Sequence, residues 1–370
     1  MLLSNPFRPD PRVYEEAKAL TEEGHRVTLI AWDREMKYPE EEEIDGIKVL
    51  RVRVPSGYGK FSEFLPGLLR FYFKARKIAR NLEFEAVHSH DFDTLPLGIW
   101  IAANRVPVIY DVHDDYASMI SESVPGFLAE LVELQQKVLI RLVNHVVYAN
   151  EALKRLIGEE GTVVMNCKDP EDYEISQEEV KKLKKKLGVD GFVIVYIGIF
   201  RQIEFLRTLI EAVKRSGVYL VLGGDGPYRD EVLDRIRGER RIKYVGWIHS
   251  KDIPSYTKLA DAIVVLNDPR KRYDRLSTPV KMFEAMAAGV PVIVARGGEA
   301  ERIVDEEKCG LAINFGDVDA LVSALEKLKD EKFRKKLGEN GLNAARRKYN
   351  RNVQKMKLIR LYASLGFSVH

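Results

Sequence analysis

The sequence predicts an α/β protein of two doubly wound domains, each a parallel sheet with helices on both faces. Short apolar runs alternate with helical stretches along almost the whole chain, which is the pattern of successive βαβ units. Several runs are apolar throughout, as expected for parallel strands buried on both faces. At 370 residues the chain exceeds the size at which a single core keeps growing, so we expect two domains.

The apolar runs fall into two sets, one in each half of the chain. The strands predicted in the first half are Arg26–Ala31, Ile47–Val52, Ala86–Ser89, Val108–Asp111, His145–Ala149 and Thr162–Met165. The strands predicted in the second half are Phe192–Ile197, Val218–Leu222, Ile242–Val245, Ala262–Leu266, Val292–Ala295 and Leu311–Asn314. Two sets of this size indicate two doubly wound sheets and not one very wide sheet.

The segment between the two sets has no apolar run of its own. It is acidic from Asp169 to Glu179 and basic from Lys181 to Lys186, and we interpret the basic stretch as a solvated helix face. The predicted organisation is an N-terminal domain over 1–166, a linker over 167–190 and a C-terminal domain over 191–342. In twinned folds of this kind, the ligand is expected at the carboxyl ends of the strands, in the cleft between the domains.

Composition favours a soluble protein of a reducing compartment. The chain is 45% hydrophobic and 31% charged, and no stretch approaches the ~20 apolar residues of a membrane-spanning helix. The first residues lack the basic start and long apolar core of a signal peptide, and Cys167 and Cys309 lie far apart. We therefore expect a cytoplasmic protein. A net charge of +3 gives no argument for a nucleic-acid partner, and abundant Lys, Arg and Glu with little Cys favours a thermophilic source.

The segment 276–294 is the most informative part of the chain, because it combines a loop, a short helix and a buried strand with an unusual charge. Thr278 is the predicted N-cap and Pro279 the first helical residue. Lys281 is then the third helical residue, where the macrodipole repels a cation unless an anion such as phosphate binds at that helix end. Glu284 lies on the same face, where its carboxylate can accept hydrogen bonds from sugar hydroxyls. The alternative is an ordinary amphipathic helix with a solvated lysine and glutamate.

Strand-to-helix junctions of the second domain carry glycine-rich or polar loops. Gly198 follows the first strand and permits close backbone approach, and Arg201 can clamp a diphosphate with its planar guanidinium. The loop after the second strand contains Gly224 and Asp225 but lacks the GxGxxG spacing, and a tight structural turn explains it equally well.

Trp247 and Ile248 follow the third strand of the same domain. The backbone at this position can read the edge of a base. Taken alone, Trp247 is more typical of a buried packing residue than of a base platform.

In the first domain, His and Asp side chains follow two predicted strands. The first cluster contains His88, His90 and Asp91, and the second contains His113. Such clusters can bind metal, but no HxxxH or HExxH helix accompanies them, and we expect His88 and His90 to point to opposite faces of their strand. We therefore expect no metal site, and a structural or substrate-contacting role in which His113 is favoured because it lies just past its strand.

Residues 60–80 mix aromatic and aliphatic side chains with several cations. A basic aromatic helix can lie on a membrane surface, which would make the protein peripheral at the inner face of the membrane. The alternative is a helix that packs its apolar side on the first domain while its cations extend to solvent.

Taken together, these motifs resemble the retaining glycosyltransferases of family 4, also called glycosyl transferases group 1, which adopt the GT-B fold. In the second half the resemblance runs through 196–198, 208–212, 223–227, 245–248, 254–261 and 278–293. In the first half it runs through 10–13, 24–27, 88–91 and 110–114. These motifs cover nearly the whole chain in the family's order.

The resemblance implies two Rossmann-like domains that face an inter-domain cleft, the second binding a nucleotide-sugar donor and the first an acceptor. The segment 343–370 would return to the N-terminal domain as a helix from Asn343 to Leu365. The implied reaction moves a sugar from a nucleoside-diphosphate sugar to a glycan or lipid-linked acceptor with retention at the anomeric carbon. No metal ion or other cofactor is implied, because helix amides and cations neutralise the leaving diphosphate.

The resemblance also assigns roles to individual residues. His113 would touch the transferred sugar. From their own charge and position, and not from the resemblance, Arg201 and Lys281 are the candidates for holding the diphosphate during the reaction. The residues implied in acceptor binding are Arg12, His90 and Asp91. Those implied in donor binding are Gly198, Gly224, Asp225, Trp247, Ile248, Ser277, Thr278, Pro279, Val280 and Glu284, of which Glu284 would bind the ribose hydroxyls.

The sequence departs from the family pattern where the usual diphosphate clamp would lie. Leu276 replaces a common Glu, Ile199 a common Arg, and Glu204 a common Lys. Arg201 and Lys281 are the candidate replacements for the missing cations. These departures leave alternatives open: a non-catalytic nucleotide-sugar-binding protein, or another GT-B activity such as a nucleotide-sugar epimerase or an inverting transferase.

Overall fold

The computed structural model describes residues 1–8, 10–57, 61–121 and 123–367, and for residues 61–63 it describes the backbone alone. The chain forms two compact units. The first contains Met1–Asn166 together with the segment from Gln354 onward, and the second contains Cys167–Val353.

The first unit is an eight-stranded sheet between helices. Its strands are β1 (Leu2–Leu3), β2 (Thr28–Asp33), β3 (Glu41–Ile44), β4 (Ile47–Arg53), β5 (Val87–His90), β6 (Val108–Val112), β7 (His145–Tyr148) and β8 (Thr162–Val163). They lie in the order β3-β4-β2-β1-β5-β6-β7-β8. β3 runs antiparallel to β4, and the other described pairings are parallel. The chain changes direction across the sheet between β1 and β5, which is where a doubly wound fold places its binding crevice.

Helices cover both faces of the first sheet. They are α1 (Pro11–Glu22), α2 (Phe61–Ala79), α3 (Leu95–Ala102), α4 (Tyr116–Ile120), α5 (Gly126–Leu139) and α6 (Glu151–Ile157). One core joins Val13 and Leu20 of α1 to the C-terminal residues Leu358 and Leu361. The other core joins α2 and α3 to the opposite face of the sheet.

The second unit is a six-stranded parallel sheet. Its strands are β9 (Val193–Ile197), β10 (Tyr219–Gly223), β11 (Ile242–Gly246), β12 (Ala262–Val265), β13 (Val292–Ala295) and β14 (Gly310–Ile313). They lie in the order β11-β10-β9-β12-β13-β14, so the change of direction falls between β9 and β12. The helices are α7 (Gln177–Leu187), α8 (Ile203–Ser216), α9 (Arg229–Arg235), α10 (Ile253–Leu259), α11 (Arg272–Leu276), α12 (Val280–Ala288), α13 (Glu299–Glu307), α14 (Val318–Leu328) and α15 (Glu331–Arg347).

Each predicted strand overlaps an observed strand, which confirms the two parallel-sheet α/β domains. β1 and β3 are additional strands that the sequence did not reveal. β1 is apolar but only two residues long, and β3 is an acidic edge strand whose alternate side chains are exposed, so neither has an apolar run of the usual strand length. Residues 167–190, predicted as a linker, form a 3-10 turn at Pro170–Tyr173 and the helix α7 within the second unit.

The start of α12 corrects the predicted capping. Pro279 is the N-cap, with an extended backbone at φ −61° and ψ 132°, and Thr278 is not. Because the backbone of Pro279 is extended and not helical, the helix begins one residue later than predicted, at Val280. Lys281 is therefore the second helical residue, one position closer to the positive end of the macrodipole.

The predicted continuous helix from Asn343 to Leu365 is also wrong, because α15 ends at Arg347 and a new helix, α16 (Arg351–Ser364), follows. Asn350 explains the break. Its Nδ2 donates to the carbonyls of Ala345 and Arg346 at 2.8 and 3.0 Å, and its Oδ1 accepts from the amide of Val353 at 2.8 Å. One side chain thus caps the end of α15 and the start of α16.

The helix predicted over residues 60–80 is α2, although Lys60 lies outside the described residues. Its inner face is buried, and Phe71 stacks on Trp32 with ring centroids 5.3 Å apart. A second apolar set, Leu65, Leu69 and Phe73, is exposed. Across the described parts of the chain, we find no helix with the length and apolar character needed to cross a bilayer.

Candidate functional site

The second unit gathers its predicted donor loops at the carboxyl edge of its sheet. In sheet order, Trp247 follows β11, Gly224 follows β10 and Gly198 follows β9. β9 borders the point at which the strand order reverses. These loops therefore line the edge where doubly wound sheets bind ligands.

Close backbone contacts lock the glycine loops together. The amide of Gly224 donates to the carbonyl of Gly246 at 2.7 Å, and the amide of Gly198 donates to the carbonyl of Gly223 at 3.0 Å. A Cβ on Gly224 would lie 1.9 Å from the carbonyl oxygen of Gly198, and the φ of +132° also favours glycine there. The role of Gly224 in this structure is thus to let two loops approach each other.

Lys281 lies at the first turn of α12 with its side chain over the backbone of Gly198. A Cβ on Gly198 would be only 2.9 Å from both Cε and Nζ of Lys281, so the glycine makes room for the lysine. The ammonium lies 5.6 Å from the centroid of the Tyr196 ring. Within the described ranges of the chain, no carboxylate forms an ion pair with it.

The surroundings of Lys281 disfavour its charge. Burial lowers the pKa of Lys281, Glu284 opposes that shift, and the nearby guanidinium of Arg201 lowers the pKa further. Arg201 itself is exposed. Two cations thus lie within electrostatic range of each other at a helix N-terminus, an arrangement that an anion would stabilise.

Glu284 lies one turn along α12, half-buried beside the segment that contains Lys168 and Tyr173. Burial raises the pKa of Glu284, while Lys168 and Lys281 lower it. The charge of Glu284 contributes to the raised pKa of Tyr173. The structure thus places Lys281 and Glu284 on neighbouring turns, as the sequence predicts.

The loop before α12 uses its polar groups internally. The hydroxyl of Ser277 accepts from Asn267 Nδ2 at 2.6 Å and donates to the carbonyl of Asp274 at 3.1 Å. Asp274 in turn accepts from Gln202 Nε2 at 2.7 Å. Ser277, a predicted donor-binding residue, therefore uses its hydroxyl for hydrogen bonds within the loop. Thr278 beside it is half-buried.

Among the residues that depart from the family pattern, Glu204 has a local explanation. Glu204, in place of a common Lys, pairs with Arg270 at 2.7 Å, and Arg270 also pairs with Asp268. The charge of Glu204 is thus partly neutralised. Ile199, in place of a common Arg, is 56% exposed, and Leu276 is the last residue of α11.

The loops after β10 and β11 differ from the prediction in one respect. Ile248 is buried, whereas Trp247 is 65% exposed, so the expectation that Trp247 is a buried packing residue is wrong. Asp225 is also exposed, and its Oδ1 accepts from the amide of Gly226 at 2.7 Å.

In the first unit, Asp111 at the end of β6 is the centre of a buried ionic network. Its Oδ1 accepts from Arg12 Nη2 at 2.8 Å, and its Oδ2 lies 2.9 Å from His113 Nε2 and 3.2 Å from His90 Nδ1. His113 Nδ1 lies 3.5 Å from a carboxylate oxygen of Asp91. The structure thus brings the predicted residues Arg12, His90, Asp91 and His113 together around a carboxylate that the prediction did not single out.

The pKa values of the side chains in this network differ from those of free side chains. Burial and Arg12 lower the pKa of His113, but Asp91 and Asp111 outweigh them and raise it to about 9. Burial raises the pKa of Asp111, yet Arg12 and His113 hold it well below its usual range. Burial lowers the pKa of His90 to about 4 and raises that of Asp91 to about 7. At neutral pH the network therefore holds a charged His113 against a charged Asp111.

The histidines of β5 lie on the same side of the strand. The rings of His88 and His90 stack with centroids 4.4 Å apart, so the expectation that they point to opposite faces is wrong. Alternate residues of a strand share a face. Glu16, whose pKa burial raises to about 8, lies in the same cluster.

This cluster has the donor set of a metal site, although its charges oppose one. Ligand atoms of Glu16, His88, His90 and Asp111 lie within 4.8 Å of one another. However, both oxygens of Asp111 already contact Arg12 or the charged His113. Those two positive groups would repel a cation at this position.

Comparison with known proteins identifies the family. Residues 12–164 match the family described as Glycosyltransferase Family 4, and residues 191–331 match Glycosyl transferases group 1. The chain belongs to this glycosyltransferase family. The glycosyltransferase is 23% identical over 358 residues to an uncharacterized glycosyltransferase of Methanocaldococcus jannaschii, with 90% of this chain and 88% of the relative covered.

Other relatives include enzymes with named products. The N-acetyl-alpha-D-glucosaminyl L-malate synthase of Bacillus anthracis is 22% identical over 382 residues, covering 96% of this chain and 92% of the relative. The alpha-monoglucosyldiacylglycerol synthase of Acholeplasma laidlawii is 24% identical over 262 residues, covering 64% of each chain.

Solved structures share the fold of the glycosyltransferase over its whole length. The sucrose-phosphate synthase of Thermosynechococcus elongatus superposes with a TM-score of 0.80 at 19% identity, covering 99% of this chain and 98% of that one. The Anabaena protein HepE, solved with UDP-glucose, superposes with a TM-score of 0.71 at 16% identity, covering 98% of each. The two parallel-sheet domains are thus those of the GT-B fold.

We expect the imidazole of His113 to titrate near pH 9, and the substitution Asp111→Asn to lower its pKa by removing a charged acceptor. Because the folded state binds the proton more tightly than the unfolded chain, this stabilisation is complete below pH ~6.5. It is lost as the pH rises through about 9. NMR titration of the histidine resonances measures both effects. A His113 midpoint below 6.5, or one that Asp111→Asn leaves unchanged, contradicts the proposed network.

Proposed function

We propose that this glycosyltransferase moves a sugar from a nucleoside-diphosphate sugar to a glycan or lipid-linked acceptor, with retention at the anomeric carbon and without a metal ion. The observation that carries the proposal is the Lys281 ammonium. It is half-buried at a helix N-terminus, beside Gly198 and near Arg201, and it has no ion-pair partner among the described residues. A diphosphate is the anion that such a position accommodates.

The donor would lie along the carboxyl edge of the second sheet. The first two amides of α12, those of Val280 and Lys281, have no partner within the helix and can donate to phosphate oxygens, together with the side chains of Lys281 and Arg201. Glu284 would accept hydrogen bonds from the ribose hydroxyls. The base would lie towards β10 and β11, near Gly224 and Ile248. The Anabaena structure with UDP-glucose supports a donor of this chemical class, because that protein has the same fold.

The chemistry follows from stabilisation of the leaving group. As the bond from the anomeric carbon to the diphosphate breaks, negative charge develops on the phosphate oxygen, and the α12 amides and cations stabilise that charge. The acceptor hydroxyl would attack from the same face and pass its proton to the leaving phosphate. These groups supply the positive charge that a divalent ion supplies in other transferases.

His113 would contact the transferred sugar through one ring nitrogen. Its Nε2 is held by Asp111 at 2.9 Å, whereas its Nδ1 is 3.5 Å from Asp91. Nδ1 is therefore the nitrogen that can donate to a sugar hydroxyl. Arg12, His90 and Asp91 would form the acceptor side of the site, with Asp111 fixing their positions.

We expect Lys281→Met to lower the transfer rate ~100-fold or more, because it removes a cation from the developing phosphate charge. Glu284→Gln should weaken binding of the nucleoside diphosphate about 10-fold, because charge-assisted hydrogen bonds to the ribose are lost.

A thermal-shift screen with UDP-, GDP- and ADP-sugars identifies the donor before these variants are tested, since a ligand at 100 times its Kd stabilises the folded protein by ~2.7 kcal/mol.

The control for these variants is Lys182→Met, an exposed lysine on α7 of the same unit. Full transfer activity in a folded Lys281→Met protein would sink the proposed diphosphate site. Tight donor binding without transfer or hydrolysis by the wild-type protein would favour the alternative of a non-catalytic nucleotide-sugar-binding protein.

The anomeric configuration of the product tests the stereochemical part of the proposal. We expect NMR of the product to show the same configuration at the anomeric carbon as the donor, and a chelator to leave the rate unchanged. An inverted product would identify an inverting transferase, and a donor recovered with an altered sugar would identify an epimerase. Loss of activity with a chelator, restored by a divalent ion, would contradict the metal-independent mechanism.

We also propose that α2 makes a peripheral contact with membranes, which suits a lipid-linked acceptor. Leu65, Leu69 and Phe73 form an exposed apolar ridge on this helix. Exposed cations lie beside that ridge, namely Arg70, Lys74, Lys77 and Arg80. The diacylglycerol in the name of the Acholeplasma relative supports a lipid-linked acceptor. The inner face of α2 packs on the first unit, and the apolar ridge is already exposed on its outer side. A membrane contact through this ridge therefore needs no rearrangement of the helix.

Binding to vesicles that contain anionic lipid tests this contact. We expect joint replacement of Lys74, Lys77 and Arg80 by Gln to weaken binding by about 1 kcal/mol for each cation. The matched control replaces Lys182, Lys185 and Lys186 of α7 by Gln. Equal vesicle binding by the α2 variant and the wild-type protein would refute an electrostatic membrane contact through this helix.

A further inference from the structure

We propose that two copies of this chain associate through antiparallel pairing of α5. The outer side of this helix carries an apolar stripe, which we call the α5 stripe: Phe127, Leu131, Leu134 and Val138. These side chains are 67%, 48%, 59% and 55% exposed. Contiguous exposed apolar surface of this kind is typical of an interaction site.

The spacing of the α5 stripe is that of a helix-pairing seam. Its members are separated by four, three and four residues, which is the alternation of d and a positions in a heptad repeat. The opposite side of α5 is already packed within the first unit. Ala129 and Gln136 are buried there, and Gln136 Nε2 donates to the hydroxyl of Tyr110 at 2.9 Å. The helix is thus fixed with its seam facing outward.

The charges beside the stripe are complementary to those of a second copy of the same helix. Glu130 and Lys137 occupy equivalent flanking positions, one heptad apart, on the same side of the seam. In an antiparallel pair, Leu131 of each copy meets Leu134 of the other, and Glu130 of each copy lies opposite Lys137 of the other. A two-fold axis therefore forms both ion pairs at once, which makes the surface self-complementary.

The same charges argue against an anionic membrane as the occupant. The side of α5 next to the stripe carries Glu130, Glu133 and Lys137, so it has no excess of cations. Within the chain, Lys137 pairs with Glu133 at 3.0 Å, and both groups lie at the surface. The exposed ridge of α2, by contrast, has the exposed cations Arg70, Lys74, Lys77 and Arg80 beside it.

Sedimentation equilibrium of the full chain over a micromolar concentration series tests the proposal. We expect a monomer–dimer equilibrium, and we expect Leu134→Glu to raise the dissociation constant ~100-fold or more, because it places a charge at the centre of the seam. The control is Leu156→Glu, which makes the same change at a 41% exposed leucine on α6 of the same unit. Circular dichroism verifies that both variants are folded.

Charge reversal tests the antiparallel arrangement. Glu130→Lys alone and Lys137→Glu alone should each weaken the dimer, because each places like charges opposite one another. The double variant should restore it, because the ion pairs are re-formed with exchanged signs. Double reversal without restoration contradicts the antiparallel pairing, since in a parallel pair these two residues would not meet.

Two outcomes would overturn the proposal as a whole. One is a wild-type chain that stays monomeric throughout the series. The other is a monomeric chain that binds vesicles of phosphatidylcholine and phosphatidylglycerol and loses that binding with Leu134→Glu, which would make lipid the occupant of the stripe.

Discussion

A parallel sheet buried on both faces can carry polar chemistry only where its strands end, and both units of this glycosyltransferase are organised by that constraint. β13 consists entirely of buried apolar residues, and β9 is apolar along its length apart from Tyr196. Charged groups therefore collect at the carboxyl edge. Asp111 lies near the end of β6, and Lys281 reaches over the loop that follows β9. Doubly wound topology adds a gap at the point where the strand order reverses, and the candidate residues lie beside it.

The two units treat buried charge in different ways. In the first, Asp111 is paired with Arg12 and His113, so the charge of this carboxylate is compensated before any ligand binds. In the second, Lys281 and Arg201 are neighbouring cations at a helix N-terminus, and burial disfavours the charge of Lys281. An anion would remove that repulsion. The first arrangement suits a site whose side chains are held in place, and the second suits a site that is completed by its substrate.

Local patterns in the sequence were sufficient to predict the fold class and most strands, because continuous apolar runs report directly on burial. They failed where the decisive contact is distant or weakly patterned. Arg12 meets Asp111 across 99 residues of sequence, so no local motif marks Asp111 as the centre of the network. The break between α15 and α16 depends on hydrogen bonds that the amide group of Asn350 makes to both helices. β3 lacks an apolar run because it lies at an edge of the sheet. The loops of the second unit were predictable because their glycines follow strands at once, but the ligand roles of their residues stay predictions.

The first unit is discontinuous in sequence, and this affects the order in which the chain can fold. Leu358, Leu361 and Tyr362 belong to its core, and His88 Nδ1 lies 3.0 Å from the hydroxyl of Tyr362, 274 residues away. During synthesis the ribosome must therefore finish the whole second unit before these side chains emerge. Until then the first 166 residues lack part of their core, and the face that α16 will cover stays open to water and to chaperones. A segment made after the second unit thus completes the unit made before it.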